Sequence, residues 1–244
     1  MNKRHIAVIF LLILLSITGC EKTMDTVPDT MNISSYYPME VGKYITYKLD
    51  STVYINLNTI KTTKSYIVQD KIDEIFKDNL GRDAFKIRRK IRSNADTTLW
   101  IDNATFVVIP SEKNIEYIDN NLRFIKLVNP VNEIISWKGN AFIDGFTSQL
   151  RFYDNWDYIY ENIGTPFSIN QTTYPETITV NQVNRIDGDP STKNFYYAIT
   201  RSQEVYAKGI GLIYKDFLWE SWQPSLFSYE STSFGIRLSI INHN

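Results

Sequence analysis

The chain is predicted to be β-dominated: a large, curved antiparallel sheet, a half-barrel or open barrel, with one or two short helices. Three observations predict it. Aromatic residues make up 14% of the 244 positions, tyrosine alone 16 of them, and aromatic and β-branched side chains suit a pleated, half-buried surface. Runs of these residues are short and broken by Asn, Asp, Gly and Pro, the punctuation of strands and turns. The first run also alternates. Ile45, Tyr47, Leu49, Ser51, Val53 and Ile55 interleave with Thr46, Lys48, Asp50, Thr52 and Tyr54, giving one buried and one wet face.

Residues 1–19 precede the fold and read as a signal peptide. Lys3 and Arg4 supply a positive start, Ile6 to Leu15 an apolar run, and Ile17-Thr18-Gly19 a small-residue approach to Cys20. The run is too short to span a bilayer, which takes about 20 apolar residues. Its ending resembles the lipobox of lipoprotein signal peptidase, which makes Cys20 the lipidation site and the first mature residue. Two or more lipid signals hold a protein stably on a membrane. Residues 20–33, with Pro28 and no apolar periodicity, read as a flexible tether, and residues 34–244 as one β-rich domain.

The strands follow in order. Ser65 to Phe76 leads through Lys77-Asp78-Asn79-Leu80-Gly81-Arg82 into Ala84 to Arg92, a hairpin with Asn and Gly in its turn. Ile72, Ile75 and Phe76 fit helical spacing as well. Further strands are expected at Thr97–Asp102, Phe106–Ile109, Ile115–Asp119 and Leu122–Val128, with Asn120-Asn121 as a turn pair that tolerates positive φ. Asp157–Asn162, Glu176–Val183, Glu204–Tyr214 and a closing Gly235–Ile241 complete the set, while Phe195–Gln203 reads as a short helix.

Composition removes several function classes. Cys20 is the only cysteine, so lipidation leaves neither a thiol nor an intramolecular disulfide. Signal cleavage removes His5 and leaves His243 near the C-terminus, a poor place for the positioned imidazole that triad chemistry needs. Zinc held by His and Cys lacks ligands. A formal charge of −1, lowered by the loss of Lys3 and Arg4, gives no argument for nucleic acid as a partner. Gly209-Ile210-Gly211 lacks the third glycine of a dinucleotide fingerprint and reads as a strand bulge. No cofactor, no metal and no catalytic residue are predicted.

Several segments resemble an uncharacterised family of outer-membrane lipoproteins of the Bacteroidota. They are Tyr36-Tyr37-Pro38-Met39-Glu40-Val41-Gly42-Lys43-Tyr44, Ile125 to Val131, Ser136-Trp137-Lys138-Gly139-Asn140, and Val205 to Tyr214. The resemblance implies an outer-membrane location, with periplasmic face and cell surface both open, and Glu21 in place of Asp omits the inner-membrane retention signal of enteric bacteria. It also implies O-glycosylation at Asp-Ser/Thr triplets, of which Thr26, Thr30, Ser51 and Thr97 are the acceptors here. It brings no activity.

Four constellations remain. Lys86, Arg88, Lys90 and Arg92 share one strand face opposite Ile87 and Ile91. They suit an anionic surface or, more simply, ion pairing with Asp70, Asp73 or Glu74 across the hairpin. Trp137, Asn140, Trp156 and Tyr158 offer aromatic faces and an amide for a ligand such as a glycan, although such a row is also what a β core looks like. Asp154, Asp157 and Glu161 supply carboxylates for glycoside hydrolysis only if two face each other across a cleft. Asp187-Gly188-Asp189 reads as a turn. The expected function is therefore a non-enzymatic, lipid-anchored envelope protein that binds an envelope protein, lipid or glycan. A scaffolding subunit is the alternative, and an acid-dependent glycan hydrolase ranks last.

Overall fold

The computed structural model describes residues 31–94 and 99–244. Cys20, Thr26, Thr30 and Thr97 lie outside the described residues. Twelve antiparallel strands form one nearly closed, barrel-like sheet with an unsealed seam, and among the described residues one four-residue α-helix, α1 (Ile33–Tyr36), accompanies it. The strands are β1 (Tyr44–Ile55), β2 (Ile60–Lys77), β3 (Asp83–Ser93), β4 (Ile101–Pro110), β5 (Asn114–Asp119) and β6 (Leu122–Val128). After them come β7 (Ser136–Trp137), β8 (Tyr158–Ile169), β9 (Thr172–Gly188), β10 (Tyr197–Ala207), β11 (Gly211–Gln223), β12 (Ser228–Tyr229) and β13 (Phe234–His243).

Spatial order runs β6-β5-β4-β3-β2-β1-β13-β11-β10-β9-β8-β7, and β12 pairs β11 off this path. The sheet therefore grows as two meanders joined where β1 meets β13, in register from Thr46↔Asn242 to Thr52↔Gly235 across one bulge. Local chemistry makes the hairpins tight. Asn56, Leu57 and Asn58 turn β1 into β2 with φ of 51°, 55° and 61°, and Asn120 and Asn121 turn β5 into β6 at 48° and 64°. Asparagine tolerates this left-handed region better than most residues.

Three expectations are corrected. Phe195–Gln203 is not helical; it enters β10, which is bonded on both sides, to β9 and β11. Glu204–Tyr214 is not one strand but the end of β10, a turn, and the start of β11. Gly209 (φ 76°) and Gly211 (φ 112°) make that turn, with Ile210 N donating to the Ala207 carbonyl at 3.1 Å. Finally, Ile101–Asp102 and Phe106–Ile109 do not belong to two strands, since β4 runs unbroken from Ile101 to Pro110, while Thr97 and Thr98 lie outside the described residues. The helical spacing of Ile72, Ile75 and Phe76 also resolves: a register shift between Ile72 and Glu74 inserts one residue into β2 and breaks its two-residue period.

Inside the sheet, the main core runs from Phe152, Trp156 and Trp219 to Ile72, Ile87 and Phe106. The β7–β8 connection carries a 3-10 turn, Arg151–Tyr153, which sends Phe152 inward. Phe152 meets Trp219 at 5.7 Å and Phe217 at 6.0 Å between ring centroids, and Trp156 meets Tyr153 at 5.3 Å and Phe217 at 6.2 Å. Each large aromatic so buried contributes about 1.5–3 kcal/mol. A second cluster, around Tyr47, Val68, Val205, Ile213, Leu238 and Ile240, packs against Phe167, Ile169 and Tyr174 from the tip of the β8–β9 hairpin.

The seam lies between β6 and the β7–β8 edge. No ladder crosses it; single groups do. Ile125 N donates to the Gly139 carbonyl at 2.8 Å, and the Trp137 indole N–H donates to the Ile125 carbonyl at 2.8 Å. The Tyr160 hydroxyl accepts from Val128 N at 2.8 Å and lies 2.7 Å from the Val128 carbonyl. These bonds satisfy edge groups that would otherwise be open to pairing with another chain.

Candidate functional site

The interior of the sheet is not completely filled. A cavity of about 120 Å³ lies there, walled by β1 to β6, β10, β11 and β13 and by Tyr37, Pro38 and Met39. Those three residues follow α1, which is pinned on both sides: Ser35 O accepts from Gly209 N at 2.7 Å, and Ile33 N donates to Asn129 Oδ1 at 3.2 Å. A cavity of roughly 150 Å³ accommodates benzene, so this space is sized for a small ring or a short chain.

Two-residue alternation builds one apolar wall from Ile72, Ile87, Phe106, Leu212, Ile236 and Leu238. The same alternation turns charges inward. Asp70 and Arg89 face each other in the β2–β3 register, next to Ile72 and Ile87. The Arg89 guanidinium donates twice to the Asp70 carboxylate, at 2.6 Å and 2.6 Å, and lies 4.8 Å from the Phe106 ring centroid. Burial opposes the Arg89 charge, but Asp70 outweighs it and raises its pKa above the ordinary value.

Glu204 forms the second charged group. It lies opposite Lys215 in the β10–β11 register, and Lys126 reaches it from β6, across the interior beneath the seam. Lys126 Nζ lies 2.7 Å and Lys215 Nζ 3.4 Å from Oε1. Gln182 Nε2 at 2.9 Å and the Tyr206 hydroxyl at 2.7 Å donate to Oε2. Burial alone would raise the Glu204 pKa; the two lysine charges and the donated hydrogen bonds overcome it and bring the carboxyl down to about 2. Burial also pushes Lys126 down to about 8, against the pull of Glu204. Chemically, the space pairs an apolar wall with fixed charges, the make-up of a site that orients a small polar ligand. Among the described residues, no group of three His, Cys, Asp or Glu side chains is placed to hold a metal ion.

The residues singled out in the sequence lie elsewhere. Trp137, Asn140, Trp156 and Tyr158 come together, but beside the seam and the Phe152 ring, and none lines the cavity. Tyr158 OH donates to Asn140 Oδ1 at 2.7 Å, Asn140 Nδ2 to the Tyr153 carbonyl at 3.0 Å, and Trp156 Nε1 to the Phe152 carbonyl at 2.6 Å. Ser51 sits within β1, paired to Ile236 and Lys64 on its two sides. Lys86 pairs with Glu74 at 2.9 Å and Arg88 with Asp73 at 2.8 Å, whereas Asp70 points inward to Arg89. Asp157 pairs with Lys138 at 2.8 Å, Glu161 accepts from Asn181 at 3.0 Å, and neither these two nor Asp154 borders the cavity. Asp189 accepts from Ser191 N at 2.9 Å, and His243 ends β13, exposed.

No protein-family model and no curated protein matches the chain. Among solved structures, it is similar to an inferred exported protein of Bacteroides fragilis with a YmcC-like fold, at 10% identity and a TM-score of 0.36, covering 84% of this chain and 98% of that one. At those values the likeness carries no argument about role.

Proposed function

We propose that this chain is a lipid-anchored outer-membrane protein that binds a small molecule inside its barrel and does not transform it. The cavity carries the reading: it combines an apolar wall with the Asp70–Arg89 and Lys126–Glu204–Lys215 groups in one space. The anchor rests on the sequence, where a signal-peptide pattern ends on the sole cysteine, Cys20. Binding is preferred to catalysis because the Asp70–Arg89 and Lys126–Glu204 groups of the wall fix one another, and His243 sits outside the cavity.

Native mass spectrometry of protein released from its own envelope tests the binding. A bound small molecule is expected in the wild type and absent from Leu238→Trp, whose larger side chain fills the cavity. Bare protein in both contradicts the reading. For the anchor, Cys20→Ala is expected to leave the membrane fraction, and its retention there contradicts lipid tethering. The scaffolding alternative draws on Phe142 and Phe146, which are exposed in the β7–β8 connection. Capture of an envelope protein that is lost in the Phe142→Ser/Phe146→Ser double variant, with an empty cavity, would favour it.

A further inference from the structure

Glu204 holds four partners, two of them cations, on one negative charge. Both of its oxygens are engaged, and its single negative charge serves two ammonium groups. Lys126 holds the closer place with its side chain 8% exposed; Lys215 stands farther off and is 27% exposed. An ammonium has three protons to place, and among the described residues this 3.4 Å approach to Glu204 is the one ion pair Lys215 makes. Neighbouring acids do not relieve it. Asp70 is taken up by Arg89, and Asp119, the remaining side-chain carboxylate of the lining, forms no ion pair within 4.0 Å of any described cation. Next to Lys215 lie Leu212, Ile236 and Leu238, all lining the same space.

We infer that the ligand of this cavity is a small organic anion, its charged end seated on Lys215 and its apolar body against Leu212, Ile236 and Leu238; the inference rests on the binding role proposed above. An incoming carboxylate supplies Lys215 with the second acceptor it lacks and leaves the Lys126–Glu204 tie across the barrel intact. The small volume sets the size class: a short-chain or single-ring acid fits, and a two-chain lipid does not. A charge-assisted hydrogen bond in a partly dry site is worth more than its neutral counterpart, so the anion is distinguished from an alcohol of the same shape.

Hexanoate, hexanol and hexylamine separate the outcomes when titrated into the purified full-length protein and followed by the methyl signals of Ile72, Ile87 and Ile236. Hexanoate is expected to bind at least tenfold more tightly than hexanol, Lys215→Met to abolish that preference, and Lys215→Arg to keep it. Equal binding of hexanoate and hexanol, a preference for hexylamine that Asp119→Asn removes, or an unchanged preference in Lys215→Met would overturn the anion while leaving the cavity a binding site. No methyl shift with any of the three contradicts both the anion and the binding role. The comparison among the three probes needs only the wild-type chain, so it stands even if a variant fails to fold.

Discussion

The Tyr160 hydroxyl lies against the Val128 peptide groups, 2.8 Å from the amide and 2.7 Å from the carbonyl. One side chain from β8 thus replaces a rung of ladder between the two ends of the sheet. An edge amide left without a partner in a buried setting costs about 1–3 kcal/mol. Tyr160→Phe is therefore expected to lower stability by ~1–3 kcal/mol in urea denaturation and to speed hydrogen exchange at the Val128 amide. Unchanged exchange would mean that the seam is held by something else.

Gly139 sits on the same seam. A β-carbon there would lie 2.3 Å from the Tyr158 ring, and Tyr158 is buried and held by Asn140. The ring cannot swing away without breaking that bond, so Gly139→Ala is expected to cost ~1–3 kcal/mol, the usual range for overpacking. Wild-type thermal stability in this variant would show that the ring moves freely.

The Lys126–Glu204 pair makes stability depend on pH. The Glu204 carboxyl is depressed from an ordinary 4.5 to about 2 in the folded chain. Its stabilising contribution is accordingly complete above about pH 4.5 and is lost as pH falls toward 2. Glu204→Gln removes that part of the acid dependence, and at neutral pH it costs ~3 kcal/mol because Lys126 is left buried without its counter-charge. Denaturation midpoints measured from pH 7 to pH 2 in both forms check it; parallel curves refute the assignment.

Charge pairs inside and outside the barrel should differ in weight. Breaking a fully buried pair costs roughly 3–5 kcal/mol; Asp70 and Arg89 keep 17% and 13% of their side-chain exposure, so Asp70→Asn is expected to cost about 2–3 kcal/mol by the same reasoning. Lys86 pairs with Glu74 on the outer face, where ion pairs are screened, so Lys86→Ala should cost less than ~1 kcal/mol. Equal losses in the two variants would contradict the inward placement of Asp70.

Much of the barrel was legible because strand periodicity is local. The first strand, the β2–β3 hairpin and the Asn120-Asn121 turn follow from alternation and turn chemistry alone. The bulge at Asp73 and the Gly209–Gly211 turn were less visible, since one inserted residue or two left-handed glycines change the path without changing the composition. The cavity residues did leave a signal. Arg89 falls between Ile87 and Ile91, Asp70 between Val68 and Ile72, and Glu204 beside Tyr206, so each is a charge on an otherwise apolar row. Such a charge must find a partner in the interior, but which partner depends on closure. Lys126 meets Glu204 across 78 residues of chain, a pairing that only the curved sheet creates. Trp137 and Tyr158 are aromatic residues whose composition does not say whether they stack on a ligand or on each other, and their place beside the seam depends on the same closure.

Isoleucine-methyl spectra of the purified protein, recorded while adding the small-molecule extract of its own envelope, test the cavity most directly. Ile45, Ile72, Ile87, Ile210 and Ile236 line it, and Ile134 and Ile186 are exposed. Binding inside the barrel predicts saturable shifts at the first five and none at the last two. Shifts confined to Ile134 or Ile186, or no shifts at all, would contradict a binding site in the barrel.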